Sequence, residues 1–338
     1  MLVQLLWIRI HLIDERYRYD GHMDVLSDAI TAMRLGQPSS SRLRTRDRGW
    51  STRLAPYDGA GFHIVLRGSC WVLPAEGDPV LLGPGDAVLL PHGTEHVLAD
   101  HPADERAAAG AVPFERWSAL RLPEISSETA EFEILCGKYR LDRRGQHPLI
   151  AELPQLIHLP TRVGDRIELR SAIDLLGLEL DRRGPGSCIA VPGLLDLLLI
   201  YMIRAWMAES RTGLWPAALT DPITAAALRA LHTDPATPWT MDRLAAETGV
   251  SRATLARRFT ALVGQPPMGY LTWWRMTRAA VLLRDTADPL AAIASQVGYA
   301  TPYAFSHAFT RQFGLSPGRY RTTHTRTHTP TTPFAAAE

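Results

Sequence analysis

Lysine is almost missing from this 338-residue chain: Lys138 stands alone, and arginine carries nearly all the basic charge. Codon composition alone produces such a bias, so it carries no functional weight. Cysteine is scarce too. Cys70, Cys136 and Cys188 are odd in number and lack CxxC spacing, which excludes a disulfide framework and fits a reducing cytoplasm. Charge of either sign is not in excess. A formal net charge of +1 points to no partner for the chain as a whole. At the N-terminus the apolar run Leu2–Ile13 is interrupted by Arg9 and His11, with neither a basic leader nor a cleavage-like stretch. It reads as neither a signal peptide nor a membrane span. What is present, 46% apolar and 21% charged residues, excludes a disordered or collagen-like chain and suits two domains.

Composition divides the chain. Residues 1–22 are expected to be a disordered extension before Met23 and a helix patterned by Val25, Leu26, Ile30 and Met33. Within 23–210, short β-rich runs at Phe62–Leu66, Cys70–Leu73, Val80–Leu82, Ala87–Leu90, Phe132–Leu135 and Leu156–Leu159 suit a small barrel or sandwich. Two helices come next. The second, Leu194–Ile203, is apolar almost all round, too short and too well flanked by charge for a membrane span, and suits a buried core or a second subunit. Residues 211–222 open a stretch rich in proline and glycine that reads as an interdomain linker with one short helix, Ile223–Leu231. Residues 323–338 read as a disordered Thr/His/Pro tail, and its His324 and His328 carry no expectation of metal.

Between them, residues 223–322 hold an internal repeat. Ala245-x3-Gly249 returns as Ala294-x3-Gly298, and Leu255, Phe259, Gly264, Pro267 and Tyr270 return 50 residues later as Phe305, Phe309, Gly314, Pro317 and Tyr320. Each copy has the makings of a helix-turn-helix. The small alanine lets helices cross closely, the glycine accepts a positive φ, Val250 or Tyr299 plugs the angle, and Ser251 or Thr301 caps the second helix. The apolar positions Leu255/Phe259/Leu262 and Phe305/Phe309/Phe313 face inward. Residues 239–321 carry ten arginines against four carboxylates, a local charge of +6, and residues 1–238 are left at −5. A basic block beside an acidic one is the footprint of a DNA-binding domain joined to something else.

The segment Ile293-Ala294-x3-Gly298-Tyr299-x3-Tyr303-x-Phe305-Ser306-x2-Phe309-x3-Phe313-Gly314-x-Ser316-Pro317-x2-Tyr320-Arg321 resembles the signature of the AraC/XylS family of transcription regulators. Trp274-Arg275-Met276-x2-Ala279-x3-Leu283 likewise resembles that family's connecting helix. The resemblance implies that both second helices enter successive major grooves of double-stranded DNA. Arg252, Thr254, Arg257, Arg258, Tyr303, Ser306, His307 and Arg311 are then the candidate contacts. Arg257 is the expected base reader and Arg252 a phosphate clamp, whereas Arg258 suits DNA or a packing edge equally.

Gly85-x5-Pro91-x-Gly93-x2-His96 resembles the second cupin motif, and Phe62–Gly68 the end of the first, without that motif's His-x-His and Glu. The fold class expected is therefore α+β multidomain: a cupin-like β-barrel with dimerisation helices, then an all-α domain with two helix-turn-helix units. His63 and His96 are candidate effector-pocket residues. They also make an incomplete metal site that Cys136 or His92 would have to finish, so no metal or other cofactor is assigned. Together these signals describe a cytoplasmic, effector-controlled transcription regulator, not an enzyme. Its expected partners are DNA, a small-molecule effector, a second copy of itself and RNA polymerase, with no membrane. The alternative is an oxygenase-like cupin metalloenzyme fused to a DNA-binding domain.

Overall fold

The computed structural model describes residues 24–101, 108–119, 129–142, 147–161, 166–182, 184–210 and 213–324. The expectations for residues 1–22 and for the tail beyond residue 324 lie outside the described residues. Asp24 caps the first helix, α1 (Val25–Met33), accepting from the Leu26 and Ser27 amides at 3.0 Å. Seven of the nine α1 residues are buried, so this helix is covered on more than one side.

Ten strands come after it: β1 (Ser39–Thr45), β2 (Ser51–Leu54), β3 (Gly59–Arg67), β4 (Cys70–Pro74), β5 (Val80–Leu82), β6 (Ala87–Leu90), β7 (His96–Ala99), β8 (Val112–Pro113), β9 (Phe132–Arg140) and β10 (Ile157–Leu159). They form two five-stranded sheets, β1-β9-β3-β6-β10 and β5-β4-β7-β2-β8. Strand alternation gives the first sheet two different faces. Val65, Val88, Leu90, Ile134 and Cys136 turn toward the second sheet and fill the interior with Val72, Leu82 and Leu98. Ala60, Phe62, Ile64, Leu89 and Leu135 turn outward into a separate core made with helices. The expected strands are all present, extended at β3 and β9, but β1 has no apolar alternation to announce it. Ion pairs hold it: Arg42 and Arg44 reach Glu133 at 2.5 and 2.7 Å and Asp181 at 2.5 and 2.6 Å.

Two short helices, α2 (Phe114–Ala119) and α3 (Pro148–Glu152), interrupt the strands, and α4 (Ile167–Arg182) and α5 (Ser187–Glu209) close the sheet-rich half. At 23 residues α5 is much longer than the expected Leu194–Ile203, and by length and composition alone it would cross a membrane. Here Leu195, Leu198, Leu199, Met202 and Ile203 join the helix-side core.

The expected linker is folded. Helix α6 (Leu214–Thr220) occupies its described residues and α7 (Pro222–Thr233) contains the expected helix Ile223–Leu231, with Trp215 and Ala218 buried and the Glu152 carboxylate accepting from the Leu214 and Trp215 amides at 2.6 and 3.0 Å. The prolines that suggest a break stand in the first turns of these helices, where a missing N–H does no harm. Six more helices follow among the described residues: α8 (Met241–Glu247), α9 (Arg252–Val263), α10 (Pro267–Asp285), α11 (Leu290–Gln296), α12 (Pro302–Phe313) and α13 (Pro317–His324). The N-terminal half of α10 (Tyr270, Leu271, Trp274) belongs to the helix-side core, together with Leu244, Leu255 and Phe259. Its C-terminal half (Met276, Ala279, Leu283) belongs to a third core with Ile293, Phe305 and Phe309.

Candidate functional site

The two repeat units are built alike. At the end of α8 the Val250 amide returns to the Ala245 carbonyl at 3.1 Å and the Gly249 amide to Ala246 at 3.2 Å. At the end of α11 Tyr299 returns to Ala294 at 2.8 Å and Gly298 to Ser295 at 3.0 Å. This pair of bonds closes a helix through a left-handed residue, and Gly249 and Gly298 take φ of 67° and 78°. Ser251 and Thr301 then cap α9 and α12, each accepting at 3.2 Å from the amide three residues on. Leu255 and Phe259 in α9, and Phe305, Phe309 and Phe313 in α12, are buried. Val263, rather than Leu262, completes the inward stripe of α9. A 19-residue α10 separates the units, about 28 Å at the helical rise and comparable to the ~34 Å repeat of a DNA groove.

The outward faces of α9 and α12 carry the candidate contacts. Arg252, Arg257, Arg258, Tyr303, His307 and Arg311 are exposed, with Thr254 and Ser306 half-buried. Tyr303 is 83% exposed, an unusual setting for an aromatic ring. Arg252 lies 3.3 Å from Asp242 of α8, with both side chains open to solvent. Arg258 lies 3.4 Å from Asp221, which caps α7, so it borders the packing edge rather than the open face. Arg257 stands exposed between them.

Sequence reasoning passes over the role of Arg275, whose partners are backbone carbonyls and leave no side-chain pattern. Its guanidinium donates to Pro235 O at 2.7 Å and Thr237 O at 2.9 Å, and sits 6.0 Å from the Tyr299 ring centroid. It ties the entry of the first unit to the turn of the second.

In the barrel interior His63 and His96 do come together, with their Nε2 atoms 2.8 Å apart. His96 Nδ1 lies 2.9 Å from the Thr94 carbonyl, which can only accept, so His96 donates there and accepts through Nε2. His63 therefore donates from Nε2, and its Nδ1 accepts from the Cys136 thiol at 3.1 Å. All three groups are neutral in this chain of bonds. Burial holds both imidazoles below the ordinary histidine range, and the His96 ring lowers His63 further. Burial also raises the Cys136 thiol. Cys136 and His96 meet opposite nitrogens of one ring, so the three donors do not converge on a point where an ion would sit. His92 turns away to the Leu153 carbonyl at 2.7 Å. Among the described residues no cluster of three or more His, Cys, Asp or Glu is arranged to hold a metal ion.

Comparison with known proteins agrees with this division. The cupin family profile matches residues 24–208, and a helix-turn-helix domain profile matches residues 244–323. An AraC-like transcription regulator of Streptomyces antibioticus is 33% identical over 303 residues, 88% of this chain and 98% of that protein. The HTH-type transcriptional regulator AlkR of Acinetobacter baylyi is 29% identical, over 88% of this chain and 99% of its own length. The C-terminal domain of AraT, a response regulator from Geobacillus stearothermophilus, is 32% identical in sequence. That match covers 33% of this chain and 92% of the solved one, with a TM-score of 0.31.

Proposed function

The chain belongs to the AraC-like transcription regulators, with a cupin domain ahead of its helix-turn-helix domain, and from that premise we propose how its residues divide the work. It is a DNA-binding transcription regulator. The observation that carries the finer reading is the duplication: two equally capped helices present open polar faces from the two ends of one stiff helix. Arg257 reads a guanine through its bidentate guanidinium, and Arg252 leaves Asp242 to clamp a phosphate. Thr254, Tyr303, Ser306, His307 and Arg311 supply the remaining contacts, whereas Arg258 serves mainly the packing edge. Fluorescence anisotropy on DNA carrying two half-motifs tests this. One helical turn of spacing should bind well, and a half-turn insertion should abolish the gain. Equal binding at both spacings would refute the two-groove arrangement.

In this reading a small-molecule effector controls the protein through the cupin half, and two copies pair through α4 and α5. Leu175 and Leu178 of α4 and Ile189 and Leu197 of α5 are exposed, an apolar face suited to a self-complementary dimer. Sedimentation of Leu197→Glu should yield monomers if this face is the contact. RNA polymerase is the partner expected of a regulator seated at a promoter, and the cytoplasm is the compartment where both are met. The protein is no enzyme in this reading. The closed Cys136–His63–His96 chain supports that, because its ring nitrogens are already engaged. Stoichiometric iron or manganese in protein purified without an affinity tag, lost in His96→Ala, would favour a cupin metalloenzyme instead.

A further inference from the structure

Helix α1 is gripped at two places along its length. On one side Asp28 accepts from His232 Nδ1 at 2.8 Å. His232 Nε2 then accepts from the Tyr270 hydroxyl at 2.7 Å, and that oxygen accepts in turn from His147 Nε2 at 3.2 Å. One turn further along α1, the Ala32 carbonyl accepts from Arg284 at 2.8 Å. Arg284 also donates to the Tyr320 hydroxyl at 3.0 Å, and Tyr320 donates to Asp142 at 2.6 Å. Tyr270 and Tyr320 are the repeat-related tyrosines. Each unit thus sends one buried hydroxyl toward α1, Tyr270 acting through His232 and Tyr320 through Arg284, and onto His147 at the start of α3 or Asp142 beyond β9.

On the other side of α1, Ile30 and Met33 line a void together with Leu89, Leu141, Ile150 and Ile203. Every residue around it is apolar, and it measures about 10 Å³. A second void shares Met33, Leu141 and Ile150 and reaches Asp142, the carboxylate that holds Tyr320. The barrel interior, in contrast, is filled by apolar side chains and by histidines already bonded to one another.

We propose that the void beneath α1 is the effector site, that it takes an uncharged and predominantly apolar molecule, and that occupancy acts by shifting α1 against His232 and Arg284, which the Tyr270 and Tyr320 hydroxyls hold. This rests on the reading of the chain as an effector-controlled regulator. A charged ligand would lose its hydration there without gaining a partner. The lining of a void lacks contacts on one side, so parting α1 from the sheet is least costly at this place. Anything larger than a water must displace part of the lining to enter, and where α1 gives way both Asp28 and the Ala32 carbonyl move with it. The ligand therefore has different affinities for the gripped and released arrangements, which coupling requires.

The test uses the full chain, its selected operator DNA and the straight-chain alcohols from butanol to decanol. The melting temperature should rise with alcohol length, by about 2–4 °C near saturation. Operator affinity should change at least about fivefold. Ala60→Leu and Leu199→Phe, which fill the void from the sheet and from α5, should each remove the alcohol effect. Tyr320→Phe should still be stabilised by the alcohols, while its operator response falls below about twofold. Equal stabilisation of wild type and both filled variants would overturn the site. A polar metabolite that changes operator affinity when no alcohol does would also overturn it, while leaving the effector reading intact. If neither the alcohols nor a metabolite collection alters operator affinity, the effector reading itself fails.

Discussion

The duplicated turn offers a measurement with its own internal control. Gly249 and Gly298 occupy equivalent positions with nearly equal φ, but their surroundings differ. A Cβ on Gly249 meets nothing within 4 Å. A Cβ on Gly298 would stand 2.7 Å from Arg275 Nη2 and 2.9 Å from the Ala236 carbonyl oxygen. Gly249→Ala should therefore cost only the left-handed backbone, about 1–2 kcal/mol. Gly298→Ala bears the same cost and must also move something. The carbonyl belongs to the main chain, and the guanidinium is fixed by bonds to Pro235 and Thr237. Charge-assisted bonds of this kind contribute about 1.5–3 kcal/mol each, less here because Arg275 is only half-buried. We expect Gly298→Ala to cost about 2 kcal/mol more than Gly249→Ala. Native-state hydrogen exchange reads the two units separately, at the Leu255 and Phe259 amides and at those of Phe305 and Phe309. That excess corresponds to about a thirtyfold greater loss of protection in the second unit than Gly249→Ala causes in the first. Equal losses in the two units would refute the assignment of Arg275 as the clamp between them.

Three further outcomes are expected. Arg257→Ala should lose about 1–3 kcal/mol on the selected operator and relax preference at one base pair, read by anisotropy on single-base variants. Arg258→Ala should leave base preference unchanged and lower stability by less than about 1 kcal/mol, since its pair with Asp221 is half-exposed. Burial holds His63, His96, His147 and His232 below their ordinary value of 6.5, so the folded chain binds fewer protons than the unfolded chain once pH drops below it. Stability should be fullest above that value and fall on acidification, by up to about 1.4 kcal/mol per pH unit for each histidine. Melting temperatures from pH 8 to pH 5 would show it, and a flat or rising profile would contradict the buried neutral rings.

How much of this is legible in the sequence depends on the range of the interactions. The helix-turn-helix units are specified by near neighbours: a small residue, a glycine in the turn just ahead of the capped helix, a hydroxyl cap and an apolar stripe. Each signal falls within one short window and occurs twice. The pairing of His63 with Val65 on an inward face comes from strand alternation, and the structure does place His63 inside with His96. Strand β1 is invisible because Arg42 and Arg44 hold it through Glu133 and Asp181, both distant in sequence. Helix α6 passes for a linker because proline marks helix starts as well as breaks, whereas α7 answers to the expected helix Ile223–Leu231. The grip on α1 is illegible for the same reason as β1: Asp28 meets His232, and Ala32 meets Arg284, across more than 200 residues. Its one trace in the sequence is the return of Tyr270 as Tyr320.

Because α10 gives one end to each of two cores, the seam between the chain's cohesive parts runs through the middle of a helix, near Arg275 and Met276. A chimaera joined at the proline-rich stretch before residue 222 would leave Leu228, Leu255 and Trp274 facing a foreign surface. A graft that exchanges only the residues C-terminal to the middle of α10 would keep that core whole and need a new seat for Arg284 and Tyr320 and a turn that accepts Arg275. For anyone recombining such regulators, the natural cut lies inside a helix that looks continuous.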